Sequence, residues 1–454
     1  MKKHSTSFVI LAAGMGKRMK SSIPKVLHPI AGQPMILYLL DSIFSNRKIF
    51  NLDKIVIVTG HGAELVENVI GKYSKEIEFV RQIRQTGTAN AVLSTSSSFP
   101  KKYDDSNIVV LCGDTPLLDI KGLADFTKTG LNNNLGIIAF RTNNPYGYGR
   151  VIEDKDGFAK KIVEENEANM KEKESKICNS GALIGKAKYI FKFVSDIENN
   201  NEGKEKYLTD IVSLANEEDK KVYIIESDEL KCKGINDRVA LSMVEKDIQN
   251  KLRNEAMKNG VSLLDPETVY FSNDTIIGKD VVIGPNVYFG KGVVIEDEVT
   301  IHPFSHLEGV HIKSKATIGP FARLRPDTVI GEGSKVGNFV EIKKSTIQSG
   351  TKISHLSYVG DSDIGTNVNI GAGVITCNYD GKKKNKTKIK DDSFIGSNVS
   401  LVAPVKVGKN TVIGAGSVIT KDVPDGSLSV ERSKQVNLKK KNQKNSKNQD
   451  KNTE

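Results

Sequence analysis

Two groups of residues in this chain are of types and spacings that could do chemistry. The first follows the apolar run Phe8–Ala13: Gly14, Gly16, Arg18 and Lys25 stand close together, with Pro24 before Lys25. A glycine-rich turn leaving a strand exposes backbone N–H groups, and a helix beginning there would aim its positive end at the same spot. Arg18 and Lys25 add full charges, so the segment reads as a phosphate cradle. It lacks the Gly-Lys-Ser/Thr ending of a Walker A loop and the third glycine of a dinucleotide fingerprint. Asp114 closes a second apolar run in Cys112-Gly113-Asp114-Thr115-Pro116. Strand ends are where an open α/β sheet places its ligands, and a carboxylate there could hold Mg²⁺, which prefers oxygen ligands and keeps several waters. Taken alone, the glycines also fit a plain tight turn, and Asp114 a turn or cap aspartate.

The second group is histidine. Four of the seven, His302, His306, His311 and His355, fall in the second half of the chain. They could form a three-histidine zinc site or supply a general base, for which an imidazole with an ordinary pKa of about 6.5 is suited at neutral pH. His302 and His306 lack a third partner within one chain. With His311 they read as surface or turn histidines.

The elements that must hold these groups are of two kinds. Up to about residue 238, strand-like runs (Phe8–Ala13, Lys54–Thr59, Asn107–Cys112, Leu135–Phe140) alternate with helix-like stretches (Pro34–Phe44, Ala63–Ile70). Nearly continuous apolar strands between helices predict a mostly parallel sheet covered on both faces. Val239–Gly260 has Leu241, Val244, Ile248 and Leu252 at helical spacing and predicts a linker helix.

From about residue 269 the period becomes six. Aliphatic or aromatic residues recur at Ile277, Ile283, Phe289, Ile295, Ile301 and Leu307, then with one slip at Ile312 through Ile342. A second slip leads to Ile347, Ile353 and Val359, then Ile364 and Ile370, and after an insertion the pattern runs from Ile389 to Ile419. Glycine often follows, as in Ile283-Gly284. Six fits neither a helix nor a hairpin. It predicts a solenoid whose short strands each send one aliphatic side chain inward, three strands to a triangular coil.

With 454 residues, about three domains or two large ones are expected. A composition of 38% hydrophobic and 27% charged residues excludes wholesale disorder. Cys112, Cys178, Cys232 and Cys377 form no C-x-x-C pair, so a reducing cytoplasm is expected, and no apolar run approaches the roughly 18 residues that span a bilayer. The net charge of +11 first suggests nucleic acid, a membrane or phosphorylated substrates. Its location decides. Residues 433–454 carry seven Lys against Asp450 and Glu454, and Lys382–Lys390 carries six Lys and no acid, which together account for the whole excess. The first segment reads as a disordered tail. The second lies in the insertion. Neither interleaves aromatic residues for base stacking, so neither nucleic acid nor a membrane is the expected partner.

Leu11, Ala12, Ala13, Gly14, Gly16 and Arg18, with Lys25, closely resemble the signature of the sugar-nucleotide pyrophosphorylases. Further segments follow in the family's order: Gln82 with Gly87 and Thr88, Cys112 with Gly113 and Asp114, then Gly149, Glu164, Asn179 and Asn236. The resemblance implies that these bind the nucleotide and sugar, that Asp114 and Asn236 hold Mg²⁺, and that Arg18 and Lys25 stabilise charge on the phosphoryl groups. In the second half, Arg323-Leu324-Arg325-Pro326, Asn338 to Lys344, Gly350 to Asp361, Asn369 to Gly373 and Thr376 to Gly381 resemble the acetyltransferase half of the bacterial bifunctional N-acetylglucosamine-1-phosphate uridyltransferase/glucosamine-1-phosphate acetyltransferases. That resemblance runs from residue 7 to about 432. It implies His355 as general base, Arg325, Lys343, Tyr358, Asn369 and Lys384 on the sugar phosphate, and Ala372, Asn378, Tyr379, Ser397, Ala415 and Arg432 on acetyl-CoA.

The implied architecture is a Rossmann-like α/β nucleotidyltransferase domain (1–238), the linker helix (239–260), a left-handed parallel β-helix of hexapeptide repeats (261–432) and the tail (433–454). The implied enzyme is a cytoplasmic homotrimer using acetyl-CoA, UTP and Mg²⁺ on small sugar phosphates, with the insertion 376–388 reaching a neighbouring subunit. Two departures stand near the first site: Cys112 where the family usually has Tyr, and Lys17 where Thr is common. The alternatives are a single-activity nucleotidyltransferase with a purely structural β-helix, and a basic nucleic-acid-binding scaffold.

Overall fold

The computed structural model describes residues 5–129, 134–200 and 205–439. The chain forms two compact units, Met1–Leu252 and Arg253–Glu454. Residues 440–454 of the expected tail lie outside the described residues, and 433–439 form no regular element.

In the first unit the β-branched and aliphatic runs become strands: β1 (Thr6–Ala12), β2 (Leu52–Thr59), β3 (Ile77–Arg81), β4 (Asn107–Cys112), β5 (Leu135–Arg141), β6 (Arg150–Glu153), β7 (Ala159–Val163), β8 (Ile177–Lys186) and β9 (Val222–Glu226). They order as β9-β5-β8-β4-β1-β2-β3, with β6 and β7 as a side hairpin on β8. Alternate residues of each central strand enter different cores. Phe8 and Ile10 pack with Ile36 and Leu40 on one face, and Val9 packs with Val92 and Val194 on the other. This two-sided burial explains the continuous apolar runs. The sheet is mixed: β8 runs antiparallel to both β4 and β5. Strand β1 is flanked by β4 and β2, both parallel to it, so its carboxyl end opens onto a crevice where the strand order reverses.

One expectation is corrected here. No α-helix follows Gly14 and Gly16. Two 3₁₀ turns, Lys17–Met19 and Lys25–Leu27, stand there, and the first α-helix is Met35–Ser45. Gly16 (φ +58°) and Lys20 (φ +47°) take left-handed conformations on either side of the first turn, and these interrupt helix growth. Any positive charge at this loop therefore comes from side chains and free N–H groups, not from a helix dipole. The helix Arg238–Lys258 is no free-standing rod at its start: Val244 and Ile248 are buried with Ile30, Ala31 and Met35.

The second unit is a three-sided prism with one all-parallel sheet on each side, of ten, eight and eight short strands. Val282 pairs with Thr300, Thr300 with Thr317, and Thr317 with Lys335, so each coil takes 17 or 18 residues. The insertion adds seven to that step, pairing Asp363 with Lys388. Every hexad residue from Ile283 to Ile419 is buried; Ile277, in the first coil, is half-buried. A second inward column stands two positions earlier and is made of small residues: Val281, Val299, Ala316, Ser334, Thr351, Ser393 and Thr411. Its hydroxyls donate to backbone carbonyls of the next coil, as Thr351 does to Gly365 (2.7 Å) and Ser393 to Gly408 (2.8 Å). That bonding offsets the cost of burying them. The repeat is thus a left-handed parallel β-helix.

Candidate active sites

The carboxyl ends of β1 and β4 lie side by side, with Leu11 in register with Cys112. Gly113 N–H donates to the Leu11 carbonyl (2.9 Å), and Ile235 N–H donates to the Asp114 carbonyl (2.9 Å), which brings Asn236 to the same place. There the Lys25 ammonium makes an ion pair with Asp114 Oδ2 and a hydrogen bond to Asn236 Oδ1 (3.2 Å). Three residues distant in sequence thus meet at one point, only slightly exposed. Two oxygen donors sharing one cation is a donor set that suits Mg²⁺.

A cavity of about 310 Å³ opens from this point, lined by Ala12, Ala13, Gly14, Lys25, Gln82 and Thr88 among others. Leu11, Thr88 and Cys112 also line a second recess of about 160 Å³ that continues toward Glu164, Asn179 and Thr209, so the two form one cleft. Gln82 is buried and donates to the Gly87 carbonyl (3.0 Å) and to Asn90 Oδ1 (3.1 Å), closing the base of its loop. A Cβ on Gly87 (φ +144°) would stand 2.2 Å from the Lys206 carbonyl oxygen, so only glycine permits this approach. Burial raises the Glu164 carboxyl above its ordinary range, and a hydrogen bond from Thr209 Oγ1 (3.0 Å) opposes the shift. Burial, then the Asp114 charge, pushes the Cys112 thiol up to about 12. Gly149 meets Asn179 through its carbonyl (2.9 Å) and faces Glu164. Arg18 is exposed on the 3₁₀ turn and is not among the cleft-lining residues.

On the prism, register places the second set. Lys335, Lys352, Asn369, Phe394 and Val412 follow one another up one sheet. Asn338, His355, Ala372, Ser397 and Ala415 each stand three residues beyond one of these, so all five occupy the same corner in successive coils. Arg432 extends the column by donating to the Ala415 carbonyl (3.0 Å). Phe339 and Leu356 follow immediately in left-handed conformation, a backbone state rare for bulky side chains. His355 is exposed, and its Nδ1 meets Asn338 Oδ1 at 2.5 Å.

Beyond that corner, on the next sheet, Tyr358 pairs with Glu341, and Lys343 with Gly360. Glu341 accepts from Arg325 (2.8 Å). Lys384 lies against Lys343, and this second ammonium, with Arg325 beyond it, holds Lys343 below the usual lysine range. Three cations so close form a place for an anion. Asn378 is buried; its Nδ2 donates to Asp361 Oδ2 (2.5 Å) and approaches Tyr358 Oη (3.4 Å). Strand Tyr358–Gly360 follows the His355 corner, and its last residue pairs with Lys343. Tyr379 is exposed and donates to the Gly381 carbonyl (2.8 Å). Among the described residues there is no group of three or more His, Cys, Asp or Glu that could hold a metal ion.

Residues 8–161 match the MobA-like NTP transferase domain. Residues 274–309 and 386–421 match the bacterial transferase hexapeptide (six repeats), and 306–379 match the GMPPB C-terminal domain. The chain is 45% identical over 434 residues to a bifunctional protein GlmU of Zymomonas mobilis, covering 95% of each chain. It is 43% identical to one of Paramagnetospirillum magneticum over 97% of this chain and 96% of the relative. A third, of Shouchella clausii, is 40% identical over 94% and 97%. The chain belongs to the GlmU family. The match spans both units, so this GlmU-family chain carries a nucleotidyltransferase and a hexapeptide transferase in one polypeptide. Among its described residues no helix is long and apolar enough to cross a membrane.

Several residues of these sites were not singled out from sequence. Glu341 anchors Arg325, Asp361 holds Asn378, and Thr209 faces Glu164. Glu341 and Asp361 lie inside the motif runs, but their roles depend on register with Arg325 and on the contact to Asn378, which residue type does not carry. Thr209 lies in no motif.

Proposed function

We propose that this chain makes UDP-N-acetylglucosamine in two steps, one on each unit. On the prism, glucosamine 1-phosphate seats its phosphate among Arg325, Lys343 and Lys384, with Tyr358 and Asn369 along the sugar. His355 Nε2 takes a proton from the sugar amine, whose nitrogen attacks the acetyl-CoA thioester. The C–N bond forms, the C–S bond breaks, and the CoA thiolate is protonated on leaving. Ala372, Ser397, Ala415 and Arg432 form the track for the coenzyme, joined by Asn378 and Tyr379.

In the cleft, a phosphate oxygen of N-acetylglucosamine 1-phosphate attacks the α-phosphorus of UTP, and the bond to the β-phosphate breaks, releasing pyrophosphate. Lys25, which lines the cleft, meets the charge that moves onto the leaving group, and Arg18 would join it by turning in from its exposed turn. Gln82, Gly87 and Thr88 hold the nucleotide, and Gly149, Glu164 and Asn179 the sugar. Asp114 and Asn236 would hold Mg²⁺, which when bound neutralises charge on the nucleotide phosphates.

The observation that carries this reading is the convergence of Lys25, Asp114 and Asn236 in a chain whose prism also holds an exposed His355 bound to Asn338 and the cations Arg325, Lys343 and Lys384. An exposed base on an outer corner also favours a homotrimer in which a neighbouring prism covers that face. The cytoplasm is the fitting location for four free thiols. Incubation with glucosamine 1-phosphate and acetyl-CoA is expected to release free thiol. No release would leave a nucleotidyltransferase with a structural β-helix.

A further inference from the structure

The imidazole of His355 has two ring nitrogens, and only an unprotonated one can act as a base. Nδ1 is engaged by Asn338 Oδ1 at 2.5 Å. An amide oxygen only accepts, so Nδ1 carries the proton and the lone pair lies on Nε2. Among the described residues no other side chain hydrogen-bonds to the ring.

The backbone is shaped for this contact. Asn338 and His355 are register partners on adjacent parallel strands. A Cβ on the preceding Gly337 would fall 1.9 Å from the Ser354 carbonyl oxygen, so any larger residue there would push the two strands apart. Phe339 (φ +55°) and Leu356 (φ +51°) then turn both chains away in the same left-handed conformation. Bulky residues in that region persist only where the surroundings hold them. Two coils thus deliver an amide and an imidazole to one corner in matched geometry.

We propose that Asn338 is a positioning residue for acetyl transfer: its Oδ1 holds the Nδ1–H tautomer and the ring orientation of His355, leaving Nε2 to receive the proton of the acceptor amine. The inference rests on the reading of His355 as the base. The contribution of Asn338 is to keep His355 in the productive one of its tautomers and rotamers.

The test compares Asn338→Ala, Asn338→Asp and His355→Ala in the full-length protein, following thiol release from acetyl-CoA across pH. Thermal melting and uridyl transfer at the other site monitor folding. Asn338→Ala is expected to lower kcat at least tenfold, with KM for acetyl-CoA changed less than twofold. Asn338→Asp keeps an acceptor and adds a charge that favours the imidazolium. It is expected to retain activity, with the acid limb of kcat/KM moved up by about one pH unit. A folded Asn338→Ala with the parent's rate and pH profile would overturn the proposal, as would an Asn338→Asp as inactive as the alanine variant. If His355→Ala kept full acetyl transfer, the reading of His355 would fall instead.

Discussion

The two candidate sites would meet their proposed sugar phosphates with opposite surfaces. In the α/β unit the candidate groups come from three distant segments, around Lys25, Asp114 and Asn236, and meet in a cleft at the ends of two parallel strands. In the prism the base and the cations lie within one stretch, Arg325 to Lys384, and His355 stands exposed on a corner. The difference follows from where each fold leaves room. An open parallel sheet leaves a crevice where its strand order reverses. A prism whose interior is filled by stacked Ile, Leu, Val and small residues leaves none, so its chemistry moves to a corner. There, left-handed residues turn side chains outward, and register alone stacks Asn338, His355, Ala372, Ser397 and Ala415. Burial tracks the contrast: Glu164 and Cys112 in the cleft are shifted by desolvation, whereas Lys343 on the prism is shifted chiefly by Lys384 beside it.

If the sites are independent, variants should divide cleanly between them. The largest effect is expected for His355→Ala, which should lower thiol release by about 10²–10⁴-fold, the range of a general base, with pyrophosphate release unchanged. Asp114→Ala should do the converse, lowering pyrophosphate release by about 10²–10³-fold and leaving thiol release intact. Gly87→Ala sharpens the contrast within the cleft. Its Cβ must displace the segment around Lys206, and a shift of that size should cost uridyl transfer about tenfold to a hundredfold, read as a raised KM for UTP.

Glu164→Gln is the mildest. Above the ordinary carboxylate range the folded chain keeps a proton on Glu164 that the unfolded chain has released. The stability contributed by that group is therefore present at low pH and falls as pH rises toward the raised folded value. The glutamine removes that fall. Melts at pH 7 should place it above the parent by about 1–2 °C, with the gap closing toward pH 4.

Much of this was legible in the sequence. Phe8–Ala13, Lys54–Thr59, Asn107–Cys112 and Leu135–Phe140 are strands because both faces are buried, and that leaves unbroken apolar runs. The six-residue recurrence marks one inward column from Ile283 to Ile419, and every residue of it is buried. Other features were hidden for physical reasons. Strand β8 runs against its neighbours, and composition carries no strand direction. Gly16 and Lys20 end the turn at Lys17–Met19 where a helix was expected, because left-handed backbone is not written in residue type alone. The second inward column escaped notice because Ser334, Thr351 and Ser393 look like surface residues, and their hydroxyls are satisfied only through the next coil. Asn338 was read as part of a motif but not as the partner of His355. The two lie 17 residues apart and meet only through coil register.

In the proposed reading one polypeptide carries the residues of two separate sites, and in the homotrimer a neighbouring prism covers the acetyl-transfer site. The most direct test supplies glucosamine 1-phosphate, acetyl-CoA, UTP and Mg²⁺ to Asp114→Ala and His355→Ala, each alone and then mixed, and measures UDP-N-acetylglucosamine. Neither variant alone should make it. The mixture should restore the product, because the acetylated intermediate made by the first is consumed by the second. A mixture as inactive as its parts, or either variant inactive in both half-reactions, would contradict the account.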